Sequence, residues 1–381
     1  MPRLLTWCVL LLSWNVSRAA VLTKVVISGE EFPQAICNDG SPGVFYFRGA
    51  NGTSAPWLVY LQGGGWCYDE ASCASRWTWS NSLMSSKDFK DTESLGGIFS
   101  DDPAQSPCSN WNLVHVRYCS SDGWSGSRAA SEESYNYAFR GQDIVRATFR
   151  TLVRDFGLGS SAGTRMLFGG ASAGGRGAMF SIDAIAAELR LLSDGAVTEV
   201  LGFLDSPFWM DKAPNDASLT SLMDQTASIQ ELANSTDDRV LDETCTAAYP
   251  IDAWKCLFGQ YRLPFVKTKH MVIAQRFDSF QLGQDMISTP PSTQEELRYA
   301  ESFGNQTHAF VTTIPSRATP GACVYSQACY NHAVSGSSSF YSLTTDDGVS
   351  ESDALRLWLQ DPSQVLHFVD HCSTFTCGSG C

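Results

Sequence analysis

The sequence predicts one α/β domain, built on a doubly wound, mainly parallel sheet and stabilised by disulfide bonds. Strand-like and helical patterns alternate from about residue 21 to residue 275, as they do in a sheet with helical crossovers. No linker-like stretch divides the 381 residues, of which 43% are hydrophobic and 17% charged, as in ordinary globular chains. We therefore assign residues 20–381 to a single domain with a cysteine-rich C-terminal tail.

Residues 1–19 have the pattern of a secretory signal peptide. Arg3 supplies a positive charge, residues 4–14 form an apolar run, and residues 17–19 include small side chains suited to cleavage. A membrane anchor is the alternative, but the run is too short to span a bilayer and Asn15 interrupts its end. The pattern predicts a secreted, extracellular protein without a stable membrane anchor.

The cysteine content agrees with export. One of the 13 cysteines lies in the signal, and the remaining 12 would form six disulfides in an oxidising compartment. Close spacing suggests three of the pairs: Cys67 with Cys73, Cys245 with Cys256, and Cys323 with Cys329. A zinc site is the alternative, but the spacings lack paired C-x-x-C units, so we expect no metal.

The net charge and the N-glycosylation sequons indicate the properties of the protein surface. The net charge is −14, and removal of Arg3 and Arg18 with the signal makes it −16. So acidic a surface argues against a nucleic-acid partner. Sequons at Asn51, Asn234 and Asn305 predict N-glycans on surface loops.

Residues 165–189 contain the strongest catalytic pattern. A short apolar run at residues 166–168 predicts a buried strand, and apolar residues at three- and four-residue spacing predict a helix after it. Between them lies G-A-S-A-G, with Ser172 at its centre and Gly170 and Gly174 at its ends. Strand, serine and helix in this order predict the nucleophile elbow of an α/β-hydrolase.

A second pentapeptide fits the same pattern. Residues 159–163 read G-S-S-A-G, with Ser161 at the centre, and the chain has 31 glycines, so one chance match is plausible. This copy precedes the strand and follows a predicted helix end, which indicates a loop. We therefore predict that Ser172 is the nucleophile and Ser161 is not.

Three glycines follow another buried strand within residues 57–67. In an α/β-hydrolase this loop and the residue after the nucleophile supply the backbone N–H groups of the oxyanion hole. We predict that these donors come from Gly64 or Gly65 and from Ala173. A phosphate-binding loop is the alternative, but no G-K-S/T follows. Without Ser172, a purely structural turn would be the preferred interpretation.

Four motifs together resemble one enzyme family. LQGGGWC, NWNLVHVRYCSSDGWSG, FRGQDI and GGASAGGRG lie in order between Leu61 and the middle of the chain. This set is similar to the pectin acetylesterase and Notum family of carboxylesterases. The resemblance extends to about His332 and implies an α/β-hydrolase fold and ester hydrolysis without a cofactor. Gln62 and Arg176 depart from the family, which usually has an acidic and a small or apolar residue there.

The triad acid is expected at the carboxyl end of a late strand. Residues 270–275 read as that strand, and Asp278 follows it, where open α/β sheets present their catalytic groups. Asp278 also resembles the acid of the family's FD-x-x-QL motif. Asp285 is the second choice, and a solvated loop carboxylate is the alternative for either.

The base is assigned among six histidines. His115 and His270 lie in predicted strands, and His308 follows a sequon. His332 lies three residues after Cys329, in a segment that resembles the family's cysteine-bounded loop with the catalytic histidine. The second choice is His371, which, with His367, lies near the cysteine-rich terminus.

Four further residues are candidates for substrate binding. Family resemblance places the segment that begins at Asp205 and contains Trp209 beside the substrate. Trp66 and Trp124 lie within two of the matched glycine-containing motifs. The tryptophans could stack on a sugar ring or line an acyl pocket, although a single tryptophan more often belongs to the core.

These observations predict a secreted serine carboxylesterase with the triad Ser172, His332 and Asp278. The favoured substrate is an acetylated polysaccharide such as pectin, from which O-acetyl groups are removed. A Notum-like deacylase that removes a fatty acyl group from a secreted protein is the alternative. A catalytically silent binding protein with the same fold is a further alternative, and the intact triad argues against it.

Overall fold

The computed structural model describes residues 19–52, 54–233, 243–314, 321–378 and 381. Within them a ten-stranded sheet has the order β10-β9-β8-β7-β6-β3-β5-β2-β1-β4. The strands are β1 Ala20–Val26, β2 Val44–Arg48, β3 Trp57–Leu61, β4 Thr92–Leu95, β5 Asn112–Val116, β6 Thr164–Ala171, β7 Val197–Asp205, β8 His270–Ile273, β9 Cys323–Ser326 and β10 Leu366–Val369.

Helices connect the strands and pack against the sheet. Their bounds are α1 Glu70–Trp79, α2 Gly141–Asp155, α3 Ala173–Leu192, α4 Leu222–Leu232, α5 Glu243–Ala248, α6 Gly259–Arg262, α7 Ser279–Asp285, α8 Gln294–Val311, α9 Ser339–Ser342 and α10 Glu351–Gln360. All neighbouring pairs from β10 to β5 are parallel, and β2, β1 and β4 form an antiparallel edge. The predicted α/β, mainly parallel fold is confirmed.

Burial explains the difference between the centre and the edge of the sheet. All five residues of β3, WLVYL, are buried, as expected of a parallel strand covered on both faces. β1 begins instead with alternating buried and exposed residues, the pattern of a half-buried strand. Each fully buried Val or Leu contributes roughly 1.5–3 kcal/mol, so the central strands carry most of the apolar stabilisation.

The sheet reverses its strand order beside β3. The chain passes from β3 to β5 on one side of it and then returns to β6 on the other side. The connections that follow β3 and β6 therefore leave in opposite directions and open a crevice at the carboxyl ends of these strands. Such a reversal point is where open α/β sheets bind their ligands.

Five disulfides stabilise the described part of the chain. They are Cys37–Cys119, Cys67–Cys73, Cys245–Cys256, Cys329–Cys381 and Cys372–Cys377. Two predicted pairs are confirmed, but the pair Cys323–Cys329 is wrong, and the expected count of six is one too high. Cys108 and Cys323 are buried free thiols among the described residues.

Strand geometry explains why Cys323 does not reach Cys329. Cys323 is the first residue of β9 and Cys329 lies beyond its far end. Because a strand rises about 3.3 Å per residue, the four strand residues alone span about 10 Å. A disulfide requires Cα atoms within about 7 Å. Cys329 instead bonds to Cys381, with a Cα–Cα distance of 5.3 Å.

The sequons differ in their surroundings. Asn51 is exposed in a bend, in agreement with a surface loop, whereas Asn234 and the signal residues 1–18 lie outside the described residues. Asn305 is exposed, but it lies inside α8, so the expectation of a loop there is wrong. None of the helices in the described ranges has the length and apolar character needed to cross a bilayer.

Candidate active site

Ser172 lies at a sharp turn between β6 and α3. Its φ of 55° is in the left-handed region, which a non-glycine residue adopts only when its surroundings hold it there. The turn packs closely on β3, because a Cβ on Gly174 would lie 2.0 Å from the carbonyl oxygen of Leu61. The backbone N–H of Ser172 donates to the carbonyl of Asp205 at 2.9 Å. The local structure is therefore the strand, turn and helix of a nucleophile elbow.

Asp278 and His332 form a hydrogen-bonded pair beside this turn. The Nδ1 of His332 lies 2.8 Å from Asp278 Oδ2. Asp278 is buried at the N-terminus of α7, where its Oδ1 accepts the backbone N–H of Gln281 at 2.9 Å. A buried carboxylate with both oxygens occupied can hold the imidazole in one orientation.

The remaining imidazole nitrogen is free to accept a proton. Nε2 of His332 is buried and has no hydrogen-bond partner among the described residues. Burial lowers the pKa of His332, but the charge of Asp278, the bond to Asp278 and the charge of Asp205 raise it, and the net direction is upward. The ring stacks on Phe280, with centroids 5.3 Å apart. These contacts suit a general base whose protonated form is stabilised by carboxylates.

The glycine loop after β3 faces the nucleophile. Gly64 and Gly65 have φ values of 141° and 64°, which favour glycine, and both line the cavity that contains Ser172. Ala173 is the first residue of α3, so its N–H is one of those that a helix leaves without an internal partner. The predicted oxyanion donors therefore surround the site of the nucleophile.

These residues share one cavity of about 550 Å³. Its lining residues are Gly63, Gly64, Gly65, Trp66, Tyr68, Arg76, Ala171, Ser172, Gln225, Phe280, Gln284, His332 and Ala333. Phe280 fills an unspecified position of the FD-x-x-QL motif, and Tyr68, Gln225 and Gln284 lie outside every motif that predicted the site. The spacing of Phe280, two residues after Asp278, could have indicated it, whereas α4 and its Gln225 reach the cavity only through the tertiary fold.

Comparisons with known proteins identify the family. The Pectinacetylesterase family model matches residues 16–381. The chain belongs to the pectinacetylesterase family. It is 32% identical over 326 residues to the palmitoleoyl-protein carboxylesterase Notum of Drosophila melanogaster, covering 84% of this chain and 46% of that one. It is 30% identical to pectin acetylesterase 4 of Arabidopsis thaliana, covering 74% of this chain and 66% of that one.

The solved structures support the same grouping. The structure of the Wnt deacylase Notum from Drosophila superimposes with a TM-score of 0.86 and 29% identity, covering 95% of this chain and 100% of that one. The chain spans about half the length of the full Drosophila relative. The names of these relatives are those of carboxylic ester hydrolases, and the chain thus belongs to a family of such enzymes.

The four predicted substrate residues occupy different places in this family member. Trp66 lines the cavity, while Trp209 is buried behind it, with ring centroids 5.0 Å apart. Trp124 is buried in the core and donates from Nε1 to the carbonyl of Gln62, before the glycine loop. Asp205 is also fully buried, and protein donors occupy its carboxylate. Trp124 and Asp205 thus support the loops of the site rather than line it.

Arg176 lies next to Trp66. Its guanidinium carbon is 4.6 Å from the centroid of that ring, and none of its three guanidinium nitrogens has a hydrogen-bond partner in the described part of the chain. Burial lowers the pKa of Arg176 to about 10. The aromatic wall of the cavity is therefore backed by a cation.

The second-choice residues lie elsewhere or make other contacts. His371 has a side chain that is 78% exposed and lies 3.9 Å from Asp346. Asp285 is buried at the end of α7, where it accepts the Tyr299 hydroxyl at 2.9 Å. Neither residue lines the cavity.

Proposed function

We propose that this protein is a serine carboxylesterase in which Ser172 is the nucleophile, His332 the base and Asp278 the acid that orients the base. The observation that carries this proposal is the His332–Asp278 bond beside an elbow serine in one cavity. In the proposed reaction His332 takes the proton of the Ser172 hydroxyl as its oxygen attacks the ester carbonyl. The alcohol leaves with that proton, and an acyl-enzyme remains.

Water completes the cycle. His332 removes a proton from the attacking water, the second tetrahedral intermediate collapses, and Ser172 is released with its proton while the acid departs. In each intermediate, N–H groups from Gly64 or Gly65 and from Ala173 stabilise the negative oxygen. The intact set of these groups supports an enzyme over a silent binding protein.

We propose an acetylated polysaccharide as the substrate. Support comes from the lining of the cavity, where Tyr68, Arg76, Gln225 and Gln284 carry polar groups of the kind that bind sugar hydroxyls, and Gln225 also donates to Gln284 at 3.2 Å. A fatty chain gains roughly 0.8 kcal/mol per CH₂ only where it meets an apolar wall. Here that wall is Trp66 and Phe280, and the buried cation Arg176 lies against Trp66.

Removal of a long acyl group from a protein is the second candidate. It is favoured by similarity, because the relative of 32% identity is a palmitoleoyl-protein carboxylesterase and the matching solved structure is a Wnt deacylase. The five disulfides support an oxidising compartment for either candidate, and we propose a secreted protein with N-glycans at Asn51, Asn234 and Asn305.

The choice is tested by acyl-chain length. We expect kcat/KM for p-nitrophenyl esters to be greatest for acetate and to fall toward octanoate. The Ser172→Ala variant, measured in parallel, corrects for spontaneous hydrolysis. A rise of about tenfold or more toward octanoate would contradict the acetylesterase and support the deacylase, since six additional buried CH₂ groups would supply several kcal/mol. Absence of turnover of any ester above that background would contradict both.

A further inference from the structure

Asp205 lies where the nucleophile turn meets the loop of the base. It is the last residue of β7 and is completely buried. Its backbone carbonyl accepts the N–H of Ser172 at 2.9 Å. Its Oδ2 accepts the backbone N–H of Ser335 at 3.0 Å and the Ser335 hydroxyl at 2.5 Å. One residue therefore contacts both the turn that carries Ser172 and the loop that carries His332.

A second link reaches the neighbour of the base. The hydroxyl of Ser206 donates to Asp205 Oδ1 at 2.9 Å and accepts the N–H of Ala333 at 3.0 Å. Ser206 and Ala333 have φ values of 52° and 55°, in the left-handed region that disfavours side chains with a Cβ. These bonds therefore oppose relaxation of the backbone directly after His332.

The hydrogen bonds that Asp205 accepts favour its ionised form. Its carboxylate is surrounded by donors: the Ser335 N–H, the Ser335 hydroxyl and the Ser206 hydroxyl. The Tyr60 hydroxyl lies 2.7 Å from Ser335 Oγ and donates to it, because the single Ser335 proton points to Asp205. Burial raises the pKa of Asp205, and the bonds from Ser335 and Ser206 oppose that rise only in part, so that the net direction is upward.

The charges that act on His332 come from two carboxylates. Asp278, before α7, bonds directly to Nδ1, and Asp205, at the end of β7, lies behind the loop. Glu351, at the start of α10, is buried near Asp205, and both its oxygens lack a partner among the described residues. Burial, followed by the charge of Asp205, raises the pKa of Glu351 well above its usual range.

We propose that Asp205 is a positioning residue of this hydrolase, which holds the His332 loop through Ser335 and Ser206 and stabilises the imidazolium with its negative charge. This inference rests on the proposed function, because only in that reaction does His332 take the proton of Ser172. Asp205 does not touch the substrate. Its two effects, placement and charge, are separable by substitution.

Two variants separate the effects. Asp205→Asn keeps the size of the side chain and removes its charge, whereas Ser206→Ala keeps the charge and removes the link to Ala333. We expect each to lower kcat/KM for p-nitrophenyl acetate by about 10- to 100-fold, since a small misplacement of a base has effects of that size. Thermal unfolding of each variant reports whether it is folded.

The pH profile then distinguishes charge from placement. The reaction needs neutral His332, so activity falls as the pH falls through its pKa. Loss of the Asp205 charge lowers that pKa, and the acidic limb moves toward lower pH by about half a unit in Asp205→Asn. In Ser206→Ala the limb stays at the wild-type position. The proposal is overturned if the acidic limb lies at the same pH in wild type and in Asp205→Asn, or if both variants have wild-type rates.

An activity-independent measurement separates this proposal from the proposed function. An NMR titration of the His332 imidazole should give a lower pKa in Asp205→Asn than in wild type even if no ester is hydrolysed. An unchanged titration overturns the electrostatic part, while absence of turnover in the wild type overturns only the proposed function. If Asp205→Asn does not fold, Ser335→Ala serves with Ser206→Ala, and wild-type kcat/KM in both would overturn the positioning role.

Discussion

The two ends of β6 carry the same pentapeptide pattern with different structures. Before the strand, residues 159–163 form a turn in which a Cβ on Gly163 would meet nothing within 4 Å. After the strand, residues 170–174 form a crowded elbow in which a Cβ on Gly174 would meet the Leu61 carbonyl at 2.0 Å. Both pentapeptides fit the pattern G-x-S-x-G. One precedes the strand and the other follows it, and their local structures differ accordingly.

A similar contrast exists between the carboxyl ends and the amino ends of the parallel strands, which form two opposite edges of the sheet. At the carboxyl edge, the segments after β3, β6, β8 and β9 supply Gly64, Ser172, Asp278 and His332. At the amino edge, Asp183 of α3 accepts the N–H and hydroxyl of Thr268, just before β8. Carboxylates at both edges are hydrogen-bonded, but only Asp278 bonds to a histidine that lines the cavity. The proposed catalytic roles therefore fall to the copy of the motif and to the carboxylate that lie where the loops after the strands converge.

The sharpest test compares the two central serines. Ser172→Ala should lower kcat for p-nitrophenyl acetate by roughly 10⁴- to 10⁶-fold, as loss of a nucleophile does in other serine hydrolases. Ser161→Ala is the matched control and should keep wild-type activity. A fluorophosphonate label that survived Ser172→Ala and disappeared with Ser161→Ala would reverse the assignment.

The next test compares the carboxylates that lie near the two ends of β8, Asp278 and Asp183. Asp278→Asn removes the charge that orients His332 and supports its protonated form, and should lower kcat by roughly 10³- to 10⁴-fold. Asp183→Asn weakens the hydrogen bonds to Thr268 and removes the charge that pairs with buried Arg262, so it should lower the free energy of unfolding by about 1.5–3 kcal/mol with wild-type kcat. Equal kcat values for the two variants would remove Asp278 from the triad.

The smallest effect is expected from the last glycine of each pentapeptide. Gly174→Ala forces Ala173 and Ser172 away from β3 and should lower kcat/KM about 100-fold, with a stability loss of about 1–3 kcal/mol. Gly163→Ala meets open space but has a φ of 80°, so it should cost about 1 kcal/mol of stability and no activity. Thermal unfolding and steady-state rates measure both, and wild-type rates in Gly174→Ala would show that the close packing is dispensable.

Local sequence patterns correctly predicted most of the fold. Residues 166–168 and 270–275 were predicted as strands and lie in β6 and β8, although β6 is longer and β8 ends at Ile273. The helix predicted after Ser172 is α3. Close spacing also predicted the disulfides Cys67–Cys73 and Cys245–Cys256 correctly, but it failed for Cys323 and Cys329, which strand β9 holds apart. Cys329–Cys381 was not predicted, since its 52-residue separation depends on where β10 and the tail lie.

The sequence by itself determined the α/β alternation, the elbow at Ser172 and the order of the triad candidates, because these depend on periodicity and on short spacings. The tertiary structure alone decided which residues share the cavity. It brought Gln225 of α4 to the lining and placed Trp124 in the core. It also joined Asp205 to Ser335 across 130 positions of the chain. Contacts between distant segments follow from strand order and packing, which no local pattern specifies.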